Sequence, residues 1–147
     1  MKYKIFIHIS YFTIALTIAC VGYLSFLLLY PVNHIDVKQP MAVDKKVYRI
    51  GDTVTYTIDF CKYNNYEIID LKRFLVNGYL YPLPNDLQNI TDTPIGCHKA
   101  DVHVPLIVPD TIEDAKAYTI KVVIVRKVNF IRTETETYVT EPFKIIK

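Results

Sequence analysis

Tryptophan is absent from the 147 residues. Serine occurs only at Ser10 and Ser25, both inside a stretch, residues 5–30, that holds no Asp, Glu, Lys or Arg. The rest of the chain therefore lacks a serine nucleophile, which excludes the commonest hydrolase chemistry. Glycine is scarce as well. Gly22, Gly51, Gly78 and Gly96 stand isolated, so there is neither a phosphate-cradling loop nor a dinucleotide fingerprint. An excess of one charge is also missing. Lys2 and Lys4 account for the formal net charge of +2, and beyond residue 33 basic and acidic residues balance. Without a basic surplus, nucleic acid is not an expected partner.

The uncharged stretch is itself the first positive signal. As a helix rising about 1.5 Å per residue it spans roughly 39 Å, more than the ~30 Å hydrocarbon layer of a bilayer, so it is read as a transmembrane helix. A cleavable signal has an apolar core of about 7 to 15 residues, whereas this run continues through Leu27, Leu28 and Leu29 to Tyr30 and Pro31. The reading is a retained anchor over residues 5–31. Residues after Cys20 stay as apolar as those before it, which argues against a lipoprotein site and makes Cys20 a helix residue. Lys2, Lys4 and the α-amine precede the helix, so the positive-inside rule keeps residues 1–4 in the cytoplasm and exports residues 32–147. In a bacterial or phage-encoded protein that compartment is the periplasm. Ala15, Ala19 and Gly22 form a stripe of small residues along which another helix could approach. The plain alternative is an anchor whose small residues face lipid.

Residues 32–40 read as a short juxtamembrane linker, and 41–147 as one domain. From Met41 onward apolar residues recur with period two, in segments rich in Val, Ile, Thr, Tyr and Phe that are punctuated by Gly, Pro, Asn and Asp. Over 53–62, Val54, Tyr56, Ile58 and Phe60 share one face and Thr55, Thr57, Asp59 and Cys61 the other. A second strand over 68–76 meets Asn77-Gly78, the dipeptide of a two-residue hairpin, and returns through Tyr79, Leu80 and Tyr81 until Pro82 and Pro84 end it. Residues 82–96 form a long connection. Strands resume over 100–108, 118–126 and 133–146, with Pro142 marking an edge or a bulge in the last. About seven strands in this length imply an all-β Greek-key sandwich.

The run DTIEDAKAYTIKVVI resembles the approach to strand F of an immunoglobulin-like domain, where a tyrosine closes the preceding corner; Tyr118 occupies that place. The resemblance covers 41–147 and implies an immunoglobulin-like β-sandwich of about seven strands preceded by one transmembrane helix. Two departures stand out: Ile120 replaces the second cysteine, and Phe74 would have to take the place of the missing core tryptophan. Phe60, Phe74, Tyr118, Ile120 and Val122 are expected in one core. The layout of short basic N-terminus, single anchor, cysteine-bearing strand and an ending such as RTETETYVTEPFKI is also similar to small membrane-anchored proteins of tailed bacteriophages and their hosts.

No catalytic residue, metal or cofactor is expected. Cys97, His98, Asp101 and His103 have metal-ligand chemistry, but on a strand His98 faces away from Asp101 and His103. The distant catalytic alternatives are a metal-dependent enzyme, which would need a bend to bring those residues together, and a thiol enzyme using Cys61 or Cys97 with His98. In an oxidising compartment Cys61 and Cys97 are expected to form a disulfide outside the main core; the alternative is two unpaired thiols, because strand parity does not fix their separation. Tyr63, Tyr66, Tyr79 and Tyr81, with Asn85, Asp86 and Gln88 of the long connection, form a candidate partner surface, since tyrosine supplies stiff amphipathic contact area. The competing assignment is packing at sheet margins. Arg126, Lys127, Asn129 and Arg132 make a basic turn suited to headgroups or an acidic partner. The function expected is binding of a protein partner at a membrane, with no small-molecule substrate inferred. The second reading is an accessory subunit of a membrane complex engaged through the helix stripe.

Overall fold

The computed structural model describes residues 2–29, 35–65, 67–84, 93–108, 112–114 and 116–147. They divide into a helical unit and a β-rich unit.

The helix α1 spans Lys2–Leu29, a run of 28 residues with no acidic residue in its first turn and no basic residue in its last. Residues 10–29 are long and apolar enough to cross a membrane. From Ser10 to Leu24 every side chain is exposed. A helix apolar on all sides needs lipid or other helices around it. Thr17 satisfies its hydroxyl locally, donating to the Thr13 carbonyl at 2.9 Å.

The β unit holds ten strands among the described residues: β1 Ile35–Val37, β2 Ala42–Val43, β3 Val47–Arg49, β4 Thr53–Lys62, β5 Glu67–Val76, β6 Leu80–Leu83, β7 Gly96–Pro105, β8 Ala117–Lys127, β9 Thr133–Val139 and β10 Phe143–Ile146. They form two sheets. In the first, β4 is central, with β7 along one side and β1 and β2 in succession along the other. In the second the order is β6-β5-β8, then β9 and β10 along the far side of β8, then β3 parallel to β10. Each sheet turns one face inward. Val54, Tyr56, Ile58, Phe60, Val102 and Val104 from the first meet Leu71, Leu75, Tyr118, Ile120, Val122 and Ile145 from the second in one core.

Met41 joins the sheets at one margin: its N–H donates to the Val139 carbonyl and its carbonyl accepts from the Glu141 N–H. Pro142 divides the expected last strand into β9 and β10, because it brings no N–H to the ladder with β8. Buried Thr140 repairs the gap, its hydroxyl oxygen accepting the Ile120 N–H at 2.9 Å.

Several expectations need correction. Residues 35–37, read as linker, are β1, paired with β4 through Ile35↔Lys62 and Val37↔Phe60. Pro82 does not end β6 but lies within it opposite Phe74, which is tolerated because β6 is the sheet edge. The β5–β6 hairpin closes over three residues, 77–79, with Gly78 at φ +71°. Phe74 is the main error. The pairing of β5 with β8 shifts between Ile68 and Asp70, and this bulge lets both Ile68 and Leu71 reach the core. Beyond it Leu71, Arg73 and Leu75 face inward while Phe74 is only half-buried. The other four expected core residues, Phe60, Tyr118, Ile120 and Val122, are buried.

Candidate functional site

On the outer face of the first sheet, the register of β4 with β7 sets the odd residues of one strand opposite the odd residues of the other. Thr55 Oγ1 lies 2.9 Å from His103 Nδ1, and Thr57 donates to Asp101 at 2.6 Å. Cys61 stands opposite Cys97, and the two are joined in a disulfide with their Cα atoms 3.9 Å apart. The bond lies within one sheet, outside the core, and ties the last turn of β4 to the start of β7.

This ladder accounts for the residues with metal-ligand chemistry. His98 takes the opposite face, its Nε2 donating to the Pro94 carbonyl at 2.8 Å while its ring packs 5.8 Å from Phe60. Among the described residues no three His, Cys, Asp or Glu side chains converge on a metal position.

The tyrosine expected to close a corner does so. Tyr118 is buried, and its hydroxyl both donates to the Glu113 carbonyl and accepts the Glu113 N–H, each at 2.9 Å. A second buried tyrosine makes a comparable knot ahead of β4. Tyr48 packs edge-on against Phe143 at 5.1 Å and donates its hydroxyl to Asp44, which also accepts the Thr55 N–H at 3.1 Å. Burial and the neighbouring Asp44 carboxylate push the Tyr48 phenol well up, so it stays protonated. Burial alone would raise Asp44, but hydrogen bonds from Tyr48 and Thr55 outweigh it and hold the carboxyl below the usual aspartate range.

The candidate tyrosines separate. Tyr63 is exposed just after β4, at the end of the sandwich where β1 begins. Tyr79 is 69% exposed at the opposite end, in the β5–β6 turn. The ten residues of β5 put roughly 30 Å between those ends. Tyr81 packs partly against the core. Tyr66, Asn85, Asp86 and Gln88 lie outside the described residues. At the end marked by Tyr79, Leu80 is 58% exposed, and Ile107, after β7, is 68% exposed. The sequence offered a weak sign of this, since Leu80 and Ile107 stand close to the turn residues Gly78 and Pro109.

The basic turn proves less open than its composition implies. Arg126 is 4% exposed and is held by Glu134 at 2.9 Å and Glu136 at 2.5 Å, with Tyr138 donating to the same Glu136. Lys127 lies 3.4 Å from Glu67. Ala15, Ala19 and Gly22 are exposed, and a Cβ built on Gly22 would meet nothing within 4 Å.

The chain matches no protein-family model, no curated protein and no solved structure. Its site must be read from its own geometry. Two cations escaped the sequence reading. Lys62, 1% exposed, donates to the Thr93 carbonyl at 2.6 Å, and Arg73, 4% exposed, lies on the inner face of β5. Parity was the available signal for both: Lys62 continues the inward series of Val54 to Phe60, and Arg73 sits between Leu71 and Leu75.

Proposed function

We propose that the protein is a single-pass, membrane-anchored immunoglobulin-like domain, displayed outside the cytoplasm, that acts by binding a protein partner. The Cys61–Cys97 disulfide carries this reading. Disulfides persist in oxidising compartments, and an apolar helix preceded by Lys2 and Lys4, with Lys38 as the nearest lysine after it, favours export of the domain into one. The immunoglobulin-like assignment is supported by the order of strands in the two sheets and by the Tyr118 corner. It departs from antibody domains in its bond within one sheet and in carrying Ile120 and Arg73 on strands where those domains bear a cysteine and a tryptophan.

Partner contact is assigned to the end of the sandwich opposite the start of β1, where Tyr79, Leu80 and Ile107 are exposed. Tyrosine is enriched at the centres of interfaces, and the exposed Leu80 and Ile107 add apolar area at the same end. The test has two arms. An impermeant thiol reagent applied to intact cells should label an added cysteine at Lys99 on the exposed face of β7, whereas failure to label it without permeabilisation places the domain inside and removes the reading. A photo-crosslinking residue at Tyr79 should give a discrete adduct in native membranes that the same residue at Thr57 does not. Exchanging residues 5–30 for an unrelated anchor should leave that adduct in place. Loss of the adduct at normal expression, reproduced by changing Ala15, Ala19 and Gly22 together to Leu, transfers the function to the helix.

A further inference from the structure

Between the two sheets the core leaves a cavity of about 140 Å³. Ile58 and Phe60 of β4, Val102 of β7, Leu71 of β5 and Val122 of β8 line it, so most of its wall is apolar. It reaches the surface beside Ala100, which lines it and is exposed. Two groups break the apolar wall in a way that packing does not require. Tyr56 is 1% exposed, and among the described residues its hydroxyl proton has no acceptor. Arg73, also in the wall and engaged by contacts of its own, bears on that phenol through its charge and as a donor toward the phenol oxygen, which still leaves the hydroxyl proton unsatisfied. A buried hydroxyl without an acceptor is unfavourable, and the group that would satisfy it best beside a cation is an anionic oxygen.

We propose that this cavity binds a small monocarboxylate with a compact apolar body of about six carbons, the size that an apolar protein cavity of about 150 Å³ accommodates as benzene. The carboxylate accepts the Tyr56 hydroxyl proton in the field of Arg73, and the body fills the space between Phe60, Leu71 and Val122. The exposed end at Tyr79 takes no part, so this site stands or falls independently of the partner surface.

The test uses the full chain in phosphatidylcholine nanodiscs, with cyclohexanecarboxylate as probe and cyclohexylmethanol as its neutral counterpart, read out by ligand-observed NMR. The expected result is saturable binding of one carboxylate per chain, at least about tenfold tighter than the alcohol, as a charge-assisted hydrogen bond implies. Tyr56→Phe should weaken carboxylate binding severalfold at an unfolding temperature no lower than that of the wild type, and Arg73→Met should erase the preference over the alcohol. If Arg73→Met does not fold, Tyr56→Phe carries the polar arm alone. Val102→Phe, which fills the cavity, should abolish binding. No saturable binding, equal affinity for carboxylate and alcohol, full affinity in Tyr56→Phe, or full affinity in a folded Val102→Phe would each overturn the proposal, the last by showing that the probe partitions into lipid.

Discussion

β4 and β5 have the same length and both lie inside their sheets, yet they are held differently. β4 alternates without interruption, its even residues Val54 to Lys62 facing inward, and it is fixed at both ends: Asp44 accepts the Thr55 N–H near its start, and the disulfide fastens its end. β5 has no covalent tie, carries a bulge after Ile68, and places a guanidinium among its inward residues. Regular alternation makes a strand rigid and its core simple. A bulge resets parity, so that residues from both registers reach the core and a polar group can be carried in with them.

The covalent tie gives the largest expected difference. Replacing Cys61 and Cys97 together by Ala opens a loop with a sequence separation of 36, for which the chain-entropy estimate is roughly 4 kcal/mol. Denaturant unfolding of oxidised wild type and the double variant measures it. A loss under about 1 kcal/mol would mean that the ladder around Thr55 and Thr57 holds β4 without the bond.

Packing on β5 ranks second. Leu75 is fully buried, so Leu75→Ala should cost about 2 to 5 kcal/mol, as should Ile120→Ala, its cross-strand neighbour on β8. Because the two side chains touch the same core, the double variant should fall short of the sum, which a double-mutant cycle will show.

The start of β4 supplies a smaller effect with a pH signature. The folded Asp44 carboxyl titrates below its unfolded range. Its contribution is therefore complete near neutrality, above the unfolded value, and is lost as pH falls through the lower folded value. The carboxylate is exposed, so solvent screening limits the contribution to at most about 1 kcal/mol. Unfolding temperatures of wild type and Asp44→Asn should differ at pH 7 and converge in strong acid. A constant difference across that range would assign the effect to something other than the charge.

How much of the fold was legible in the sequence depends on the same contrast. β4 was read from alternation alone with its boundaries and both faces intact, because nothing interrupts its period. The Tyr118 corner was readable because one residue type at one place makes it. β5 was misread at Phe74, since a bulge leaves no mark in a sequence where Ile68, Ile69, Leu71, Phe74 and Leu75 give both parities apolar residues. The cavity beside Arg73 was unreadable in principle: it depends on how two sheets distant in sequence fit together. The exposed end at Tyr79 lay between these cases. Tyr79 is legible as a contact residue, but separating it from Tyr63 requires knowing that β5 runs between them.

Phe74→Ala gives a similarly small expected effect and the most direct measure of the bulge. Before the bulge Ile68 packs against the core, and uninterrupted alternation would carry Phe74 inward with it. After it Phe74 is half-buried beside Pro82 of the edge strand β6, so truncation removes partial contacts at a sheet margin and leaves no closed cavity. The cost should be near 1 kcal/mol, well below that of Leu75→Ala one residue along. Measured side by side by chemical denaturation, the two substitutions fix the parity of β5. A loss for Phe74→Ala equal to or above that for Leu75→Ala would restore the uninterrupted register, turn Arg73 outward and remove the cation from the cavity.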